Sequence, residues 1–284
     1  MPDDQMSDPK QRKRPLGAHT PAPWFDPEAF ACWRLLEAAA ARMVQVTVLP
    51  ARQAPHDDRL DGHVHAQPTI VACLAGTTRI ECSGSRIDLH AHEAAVVAPG
   101  AWHRHAALRG GSAVYAQGLL GQRSDVMLMQ GARRWWLTIH QEPSQRWLYQ
   151  ALHATSPAQR LQAVVALMGG FAREPALAMT MSSAQAAMAR YLWGSFTRSV
   201  TAQDILHASS LQRAQAHLSF RACFGQTPKQ ALTQARLALA THLQAEGFSA
   251  QEIARASGFA SSPRWRRTRR AWRARTARTA DAAL

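Results

Sequence analysis

Near its end, this 284-residue chain carries an internal repeat that limits the possible folds more strongly than any other pattern in it. The segment TAQDILHAS (Thr201–Ser209) aligns without gaps with SAQEIARAS (Ser249–Ser257), 48 residues further on. Each copy opens with a hydroxyl residue followed three positions later by an acid, which is the pattern of a helix-capping box. Each ends in a turn with an apolar anchor, at Ser210-Leu211 and at Gly258-Phe259. A helix, a tight turn and a second helix are therefore expected twice, as two helix-turn-helix units.

The segment between the two copies has the pattern of one long helix. Apolar residues recur at helical spacing from Leu232 to Leu243, and Gly247 is a natural C-terminal cap. Two recognition helices on one rigid connector can enter successive major grooves of DNA, about 34 Å apart. A plain helical bundle is the alternative, but the duplicated capping pattern and the basic second copy favour DNA binding.

Several short motifs accompany the repeat within residues 200–260. They are FRACFG (Phe220–Gly225) with Pro228, then Arg236-Leu237, Ala240 and Leu243 in the connector, and Ile253-Ala254 with Gly258-Phe259 in the second unit. In these motifs and their spacing, the segment resembles the DNA-binding domain of the AraC family of bacterial transcription regulators. The resemblance implies an all-α domain of two helix-turn-helix units that binds double-stranded DNA.

The resemblance breaks where an arginine-rich run begins. After Gly-Phe the family carries an aromatic residue, a core phenylalanine and a Gly-x-x-Pro-x-x-Tyr-Arg ending. Here Trp265 supplies the aromatic residue, Thr268 or Arg269 falls at the core position, and the ending is absent. Eight arginines lie between Arg264 and Arg278, with no acid among them. Two interpretations remain: a recognition helix rich in phosphate contacts, or a shifted reading frame that replaced the normal end of the domain.

Charge and cysteine usage restrict the class of partner. The formal net charge of +14 makes a polyanion the first partner to consider, and nucleic acid before a membrane. Four cysteines are scattered without a Cys-x-x-Cys pair, so neither a zinc ribbon nor a disulfide framework is indicated. We expect reduced thiols in a cytoplasmic protein with no membrane partner, because the sequence has no long apolar run.

The first half of the chain has the pattern of a β-rich domain. Short runs such as MVQVTVLP, PTIVACLAG and EAAVVAPG are separated by Gly, Pro and Ser, which is typical of a small antiparallel barrel or a double-sheet jelly roll. Two segments, GHVHAQPTIVACLAG and LHAHEAAVVAPGAWH, resemble the two conserved segments of cupins. The matching positions are His63, His65 and Gly76 in the first segment, and Pro99, Gly100 and His103 in the second.

The histidines of these segments raise the question of a metal site. His63 and His65 lie two apart on one strand, so both rings face the same side, and His103 from a later strand could complete a set of three. Metal-binding cupins also supply a Glu shortly after the His-x-His, where this chain has Thr69 and Ile70. We therefore expect the three histidines to line an effector pocket and to bind no metal. Three other histidines without motif support, His90, His92 and His105, are expected at the surface.

The sequence divides into four predicted segments. They are residues 1–20, disordered; 21–120, a cupin-like effector-sensing domain; 121–195, a helical dimerisation and linker region; and 196–284, the tandem helix-turn-helix domain, with 264–284 as its atypical end. Trp135, Trp136 and Trp147 are expected to pack the helices of the third segment onto the barrel.

Together these features predict a transcription regulator that responds to a small molecule, is not an enzyme and needs no cofactor. The candidate DNA contacts are Arg213, Gln215, His217 and Arg221 in the first unit, and Ser261, Ser262, Arg264, Arg266 and Arg267 in the second. The architecture further implies a homodimer, with RNA polymerase as a candidate partner. The alternatives are a cupin-type metal-dependent enzyme with an accessory helical domain, and a regulator whose second DNA-binding unit is damaged.

Overall fold

A computed structural model describes residues 26–50, 62–82, 85–108, 110–118, 123–140, 143–173 and 179–281. The segment 1–20, which is expected to be disordered, lies outside the described residues.

The described residues of the first part of the chain form two β-sheets. The larger has strand order β1-β5-β2-β7-β8-β9-β10, and the smaller has the order β4-β3-β6. β1 pairs with β5 in parallel, and the other pairings are antiparallel. The strands are β1 Gln45–Leu49, β2 Thr69–Ala75, β3 Thr77–Cys82, β4 Ser85–His90, β5 Glu93–Val97, β6 His103–Ala107, β7 Ser112–Gly118, β8 Arg123–Gln130, β9 Arg133–His140 and β10 Met179–Thr180.

The larger sheet is buried on both of its faces. Along β2, Ile70 and Ala72 point into a core shared with three helices, while Val71 and Cys73 point into a core shared with the smaller sheet. The expected β-rich part followed by a helical part is confirmed, but a closed barrel is not. The described strands form two separate sheets that pack face to face, and helices cover the other face of the larger one.

Three helices form that cover: α1 (Pro27–Ala41), α2 (Pro143–His153) and α3 (Pro157–Arg173). α1 begins where the Asp26 carboxylate accepts hydrogen bonds from the amides of Glu28 and Ala29, and Pro27 fits the first helical turn. This first helix is not among the elements predicted from the sequence.

The expectation that residues 121–195 are helical is wrong for its first part. Residues 123–140 form the hairpin of β8 and β9, which turns at Gly131 with a φ of 57°. Leu128 faces the helices, whereas Met127 and Met129 face the smaller sheet. Because leucine and methionine are good helix formers, local propensity favours a helix in this segment. In the fold the segment is instead a strand that is buried on both faces.

The second part of the chain is helical. Its helices are α4 (Ser183–Ser195), α5 (Ala202–His207), α6 (Arg213–Phe224), α7 (Pro228–Ala245), α8 (Ala250–Ala256) and α9 (Ser262–Asp281). The predicted capping boxes of Thr201 with Asp204 and of Ser249 with Glu252 are both formed. The two helix-turn-helix units and the single connecting helix α7 are therefore confirmed as local structure. None of the helices in the described part of the chain is long and apolar enough to cross a membrane.

Candidate effector pocket and nucleic-acid interface

A cavity of about 900 Å³ lies between the two sheets and α4. Its wall includes Thr69 and Met127 of the larger sheet, and Trp193 of α4. His63 and His65 also line it, whereas His103 lies behind them with no exposed surface. The fold brings the three expected histidines together. Their role in effector binding stays a prediction.

Backbone pairing fixes two of these histidines opposite one another. His63 and His103 form an antiparallel bridge, and each amide donates to the carbonyl oxygen of the other at 2.9 Å. His65 follows on the same side, and its carbonyl oxygen accepts from the amide of Gly100 at 2.9 Å. The ring centroids are 4.7 Å apart for His63 and His65, 4.5 Å for His63 and His103, and 5.0 Å for His65 and His103.

Burial keeps His63 and His103 uncharged. Desolvation lowers the pKa of His63 well below its usual range, and the neighbouring histidines lower it further. Desolvation also lowers the pKa of His103 to about 4. The Nδ1 of His103 lies 2.9 Å from the carbonyl oxygen of Ala101, which can only accept, so Nδ1 carries the proton. Its buried Nε2 is therefore a bare lone pair, and this nitrogen has no hydrogen-bond partner among the described residues.

His105 also belongs to this cluster, which corrects the expectation of a surface position. Its ring stacks on Tyr115 with centroids 3.8 Å apart and lies 5.4 Å from the ring of His63. Desolvation lowers its pKa to about 3. The sequence contains a signal for this position of His105, because His103 and His105 on β6 repeat the His-x-His spacing of the first segment. His90 is exposed as expected, whereas His92 is half-buried.

Arginines surround the mouth of the cavity. Arg79 makes two hydrogen bonds to Asp88, of 2.7 and 2.9 Å, and Arg104 pairs with Glu81 at 2.6 Å. Hydrogen bonding to these arginines lowers the pKa of both carboxylates. Arg134 and Arg190 are exposed, and within the described ranges neither pairs with a carboxylate. The mouth thus favours an anionic group. Beside the interior, His63, His103 and His105 are uncharged, and the buried Asp125 also lines it.

The donor atoms of the histidine cluster are close enough to share an ion. One ring nitrogen from each of His63, His65 and His103 lies within 4.8 Å of the other two. Thr69, in the region where metal-binding cupins carry a Glu, is buried in the cavity wall. The sequence favours a metal-free pocket because the Glu is missing, whereas the structure assembles three donors without it.

The first helix-turn-helix unit presents a mixed polar and apolar face on α6. Phe220 is fully buried, and Arg213, Gln215 and Arg221 are exposed. His217 is half-buried at the edge of this face. Leu218, which is not among the DNA contacts predicted from the sequence, is 67% exposed and lies three residues from both Gln215 and Arg221.

The second unit presents its arginines on α9. Arg264, Arg266 and Arg267 are exposed, and Ser262 is half-buried. The hydroxyl of the exposed Ser261 accepts from the amide of Arg264 at 3.4 Å, so this side chain caps the helix.

Thr268 and Arg269, the two residues expected at the position of the absent core phenylalanine, are both half-buried. Trp265 is 4% exposed and serves as the expected core aromatic residue. The half-buried Arg269 donates from Nη1 to Oε1 of Gln244 at 2.5 Å, and its guanidinium lies 5.7 Å from the centre of the Trp265 ring. Hydrogen bonding and cation–π contact reduce the cost of placing a charge beside the core.

Comparisons with known proteins add little to this description. No family model and no curated protein matches the chain. Among solved structures it is similar to ToxT from Vibrio cholerae, with 11% identity and a TM-score of 0.33 over 73% of this chain and 87% of that chain. A structure of the same protein with a bound unsaturated fatty acid gives 12% identity and a TM-score of 0.32, over 73% and 86%. At such scores the likeness supports no conclusion about this chain.

Helix α4 connects the cavity with the two helical units. Trp193 lines the cavity on one side, 6.4 Å from the ring of His65, and belongs to the core of the helical part. Val64 and Ala66, which flank His65, lie in that same core. A Cβ added to Gly100 would lie only 2.9 Å from Leu239 of α7, so sheet and connector pack closely here.

Proposed function

We propose that this chain is a one-component transcription regulator of the AraC type, in which a small molecule bound in the cavity modulates sequence-specific binding to double-stranded DNA. The observation that carries the proposal is the pair of helix-turn-helix units on one connector, packed in a common core with α4, which also lines the cavity. The AraC assignment rests on the motifs of residues 200–260.

The DNA-binding part of the proposal rests on exposed cations. Arg213 and Arg221 on α6, and Arg264 and Arg267 on α9, are exposed on the second helices of their units. In helix-turn-helix proteins the second helix enters the major groove. Arginines there bind phosphates and can read guanine, so affinity would fall with added salt.

The effector part rests on the shape and polarity of the cavity. Its volume of about 900 Å³ suits a small organic molecule. The interior wall combines aromatic and apolar side chains with imidazoles and the buried Asp125, which favours a body with hydrogen-bond donors, and Arg134 and Arg190 at the mouth favour an anionic group. An effector that contacts both the sheet and α4 would change the packing of α4 on the helical units, which is how we infer that binding reaches the DNA.

The proposal is tested in two steps on the purified chain. Selection from random double-stranded DNA should enrich a defined sequence, and binding to it should exceed binding to scrambled DNA by a factor of about 10³ or more at physiological salt. A screen of small organic acids by melting temperature should then find a ligand that shifts DNA affinity. If the selection enriches no defined DNA sequence, the regulator function is contradicted, even if a ligand is found.

The effector position has its own test. Alanine at both His63 and His103 should abolish the ligand-induced rise in melting temperature, whereas alanine at the exposed His90 should leave it unchanged. An unaltered rise in a folded double variant would show that the effector binds elsewhere. We further propose a homodimer, to be checked by light scattering, and retain RNA polymerase as a candidate partner.

A metal-dependent enzyme is the second candidate function. The clustering of His63, His65 and His103 is the observation that favours it. It predicts that the metal-loaded chain turns over a substrate at a rate that does not depend on added DNA. The regulator instead predicts that arginine substitutions on α6 abolish function in a reporter assay without altering ligand binding.

A further inference from the structure

We propose that a groove on the second helix-turn-helix unit binds a nucleoside polyphosphate, with the phosphates on arginines of α9 and the base against an apolar floor. This arginine groove has a volume of about 560 Å³. It lies between Gln244 at the end of α7, Ala250 at the start of α8, and four arginines of α9: Arg266, Arg269, Arg270 and Arg273. The groove shares no lining residue with the cavity between the sheets. Binding here requires neither an effector nor DNA, so the proposal does not depend on the regulator function.

The four arginines lie on one side of α9. At about 100° per residue, all four fall on one side of Trp265 around the helix, whereas Arg264 and Arg267 fall on the other. The four span roughly 10 Å along the helix axis, at about 1.5 Å per residue. The helix therefore has two basic surfaces, and only one of them borders the groove.

The arginine groove carries positive charge without a compensating acid. Among the described residues no carboxylate lines it, and neither Arg266 nor Arg270 forms an ion pair. The partner of Arg269 across the groove, Gln244, is neutral. Four like charges in one recess repel one another, and a bound polyanion would remove this repulsion. Because guanidinium groups match phosphate oxygens with pairs of hydrogen bonds, the groove favours a ligand with several phosphates.

The floor of the groove is apolar and aromatic. Ile253 and Trp265 are 1% and 4% exposed, and Phe248 is half-buried in the same core. The indole Nε1–H of Trp265 is buried and has no hydrogen-bond partner among the described residues. A buried donor without a partner is costly, and an acceptor atom of a bound ligand would satisfy it. Since aromatic side chains stack on nucleobases, the floor favours a nucleoside polyphosphate over an inorganic one.

The floor also distinguishes this ligand from the backbone of DNA. A volume of about 560 Å³ suits a small organic molecule. A DNA duplex can contact the arginines at the rim, but its bases are paired inside the double helix and cannot reach Phe248. Arg266 is also a candidate DNA contact, so the variants of the test retain it.

The test titrates ATP into the full-length chain by isothermal titration calorimetry, at physiological salt and without Mg²⁺. We expect one equivalent of ATP to bind. Inorganic tripolyphosphate should bind at least about 10-fold more weakly, because it has the phosphates but no base to stack. Absence of ATP binding, or equal affinity for the two compounds, overturns the proposal without the use of any variant.

The double variant Arg270→Ala/Arg273→Ala tests the position of the site. Its affinity for ATP should fall at least about 10-fold, because two charged donors to phosphate are lost. The matched control Arg34→Ala/Arg42→Ala removes the same charge from exposed positions and should bind ATP like the wild type. Far-ultraviolet circular dichroism checks that the variants are folded.

Three outcomes of the variant experiment would overturn the proposal. An equal loss in both double variants would show attraction by net charge alone. A loss in Arg190→Ala instead would place the nucleotide in the cavity between the sheets. Weaker binding of a DNA duplex with unchanged affinity for ATP in Arg270→Ala/Arg273→Ala would assign these arginines to the DNA backbone.

Discussion

The guanidinium Nε of Arg236 donates a 2.7 Å hydrogen bond to the carbonyl oxygen of Phe196, just past the end of α4. Its Nη2 donates to the carbonyl oxygens of Arg198 and Val200, at 2.7 and 3.3 Å. One side chain of the connector α7 thus satisfies three backbone acceptors in the segment that leads into the first helix-turn-helix unit. The fork therefore adds hydrogen bonds to the common core through which α4 packs on the helix-turn-helix units.

Replacement of Arg236 should weaken this packing. Hydrogen bonds from a charged group contribute about 1.5–3 kcal/mol each. We expect Arg236→Leu to lower the free energy of unfolding by about 2–4 kcal/mol and Arg236→Lys to lower it somewhat less, because an ammonium keeps the charge but cannot form the fork. Urea denaturation measures both, with the exposed Arg255→Ala as control. Equal stability of the leucine variant and the wild type would show that the fork contributes nothing.

Gly258 and Gly225 form a matched pair for testing close packing. Both have positive φ, 77° and 70°, which a non-glycine residue adopts at a cost of about 1–2 kcal/mol. A Cβ on Gly258 would lie 2.6 Å from the carbonyl oxygen of Phe196, whereas a Cβ on Gly225 would meet no described atom within 4 Å. Gly258→Ala should therefore destabilise by about 1–3 kcal/mol more than Gly225→Ala in urea denaturation. Similar effects of the two substitutions would contradict the close approach.

The exposed face of α6 should read base sequence. Arg213→Ala should relax specificity at one or two base pairs, at a cost of about 1–3 kcal/mol if the contact is a good base pairing. Leu218→Ser should weaken discrimination in favour of thymine, whose methyl group an exposed apolar side chain can contact. Selection experiments on each variant, with Arg173→Ala outside the units as control, compare the enriched sequences. An unchanged motif in both variants would place base reading elsewhere.

The arginines of α9 should bind phosphates with little regard to sequence. Replacing Arg264, Arg266 and Arg267 by alanine should weaken binding to all sequences alike and reduce the salt slope by about 0.9 for each phosphate that is no longer neutralised. The matched control removes the same charge from the other part of the chain, at Arg34, Arg42 and Arg173, which are exposed. Loss of operator preference with an unchanged salt slope would instead make α9 a base-reading helix.

The Asp26 cap of α1 should make the stability of the fold depend on pH. Trp135 Nε1 donates to the Asp26 carboxylate at 2.8 Å, and this bond is the main reason that the pKa of Asp26 is lowered. A lowered folded-state pKa stabilises the fold above the unfolded pKa, and this contribution disappears as the pH falls through the folded pKa. The stability difference between wild type and Trp135→Phe should therefore shrink on acidification. Trp147→Phe, which changes a tryptophan at the same core, should show no such trend.

The two interpretations of the arginine-rich end can be separated at the level of the gene. A shifted frame predicts that another reading frame downstream of codon 259 encodes an aromatic-rich segment ending in Gly-x-x-Pro-x-x-Tyr-Arg. A genuine recognition helix predicts no such segment. The contacts of Arg269 with Gln244 and Trp265 are compatible with both interpretations.

Elements with local signals could be predicted from the sequence. The capping boxes at Thr201 and Ser249 depend on residues three apart, so both helix starts were predictable. The turn glycines Gly225 and Gly258 are equally local, since each takes a left-handed φ at the end of a helix. The alternation of His63 and His65 likewise placed both rings on one side of their segment before any long-range contact was known.

Features that join distant parts of the chain could be identified only from the tertiary structure. Met127 and Met129 lie in a strand because sheets and helices bury both faces of it, against the helical preference of methionine. His105 joins the histidine cluster because β6 lies beside β3 and faces the same cavity. The fork of Arg236 exists because α7 passes the end of α4, 40 residues away in sequence. Burial and hydrogen bonding between such residues depend on the packing of elements, which no local pattern encodes.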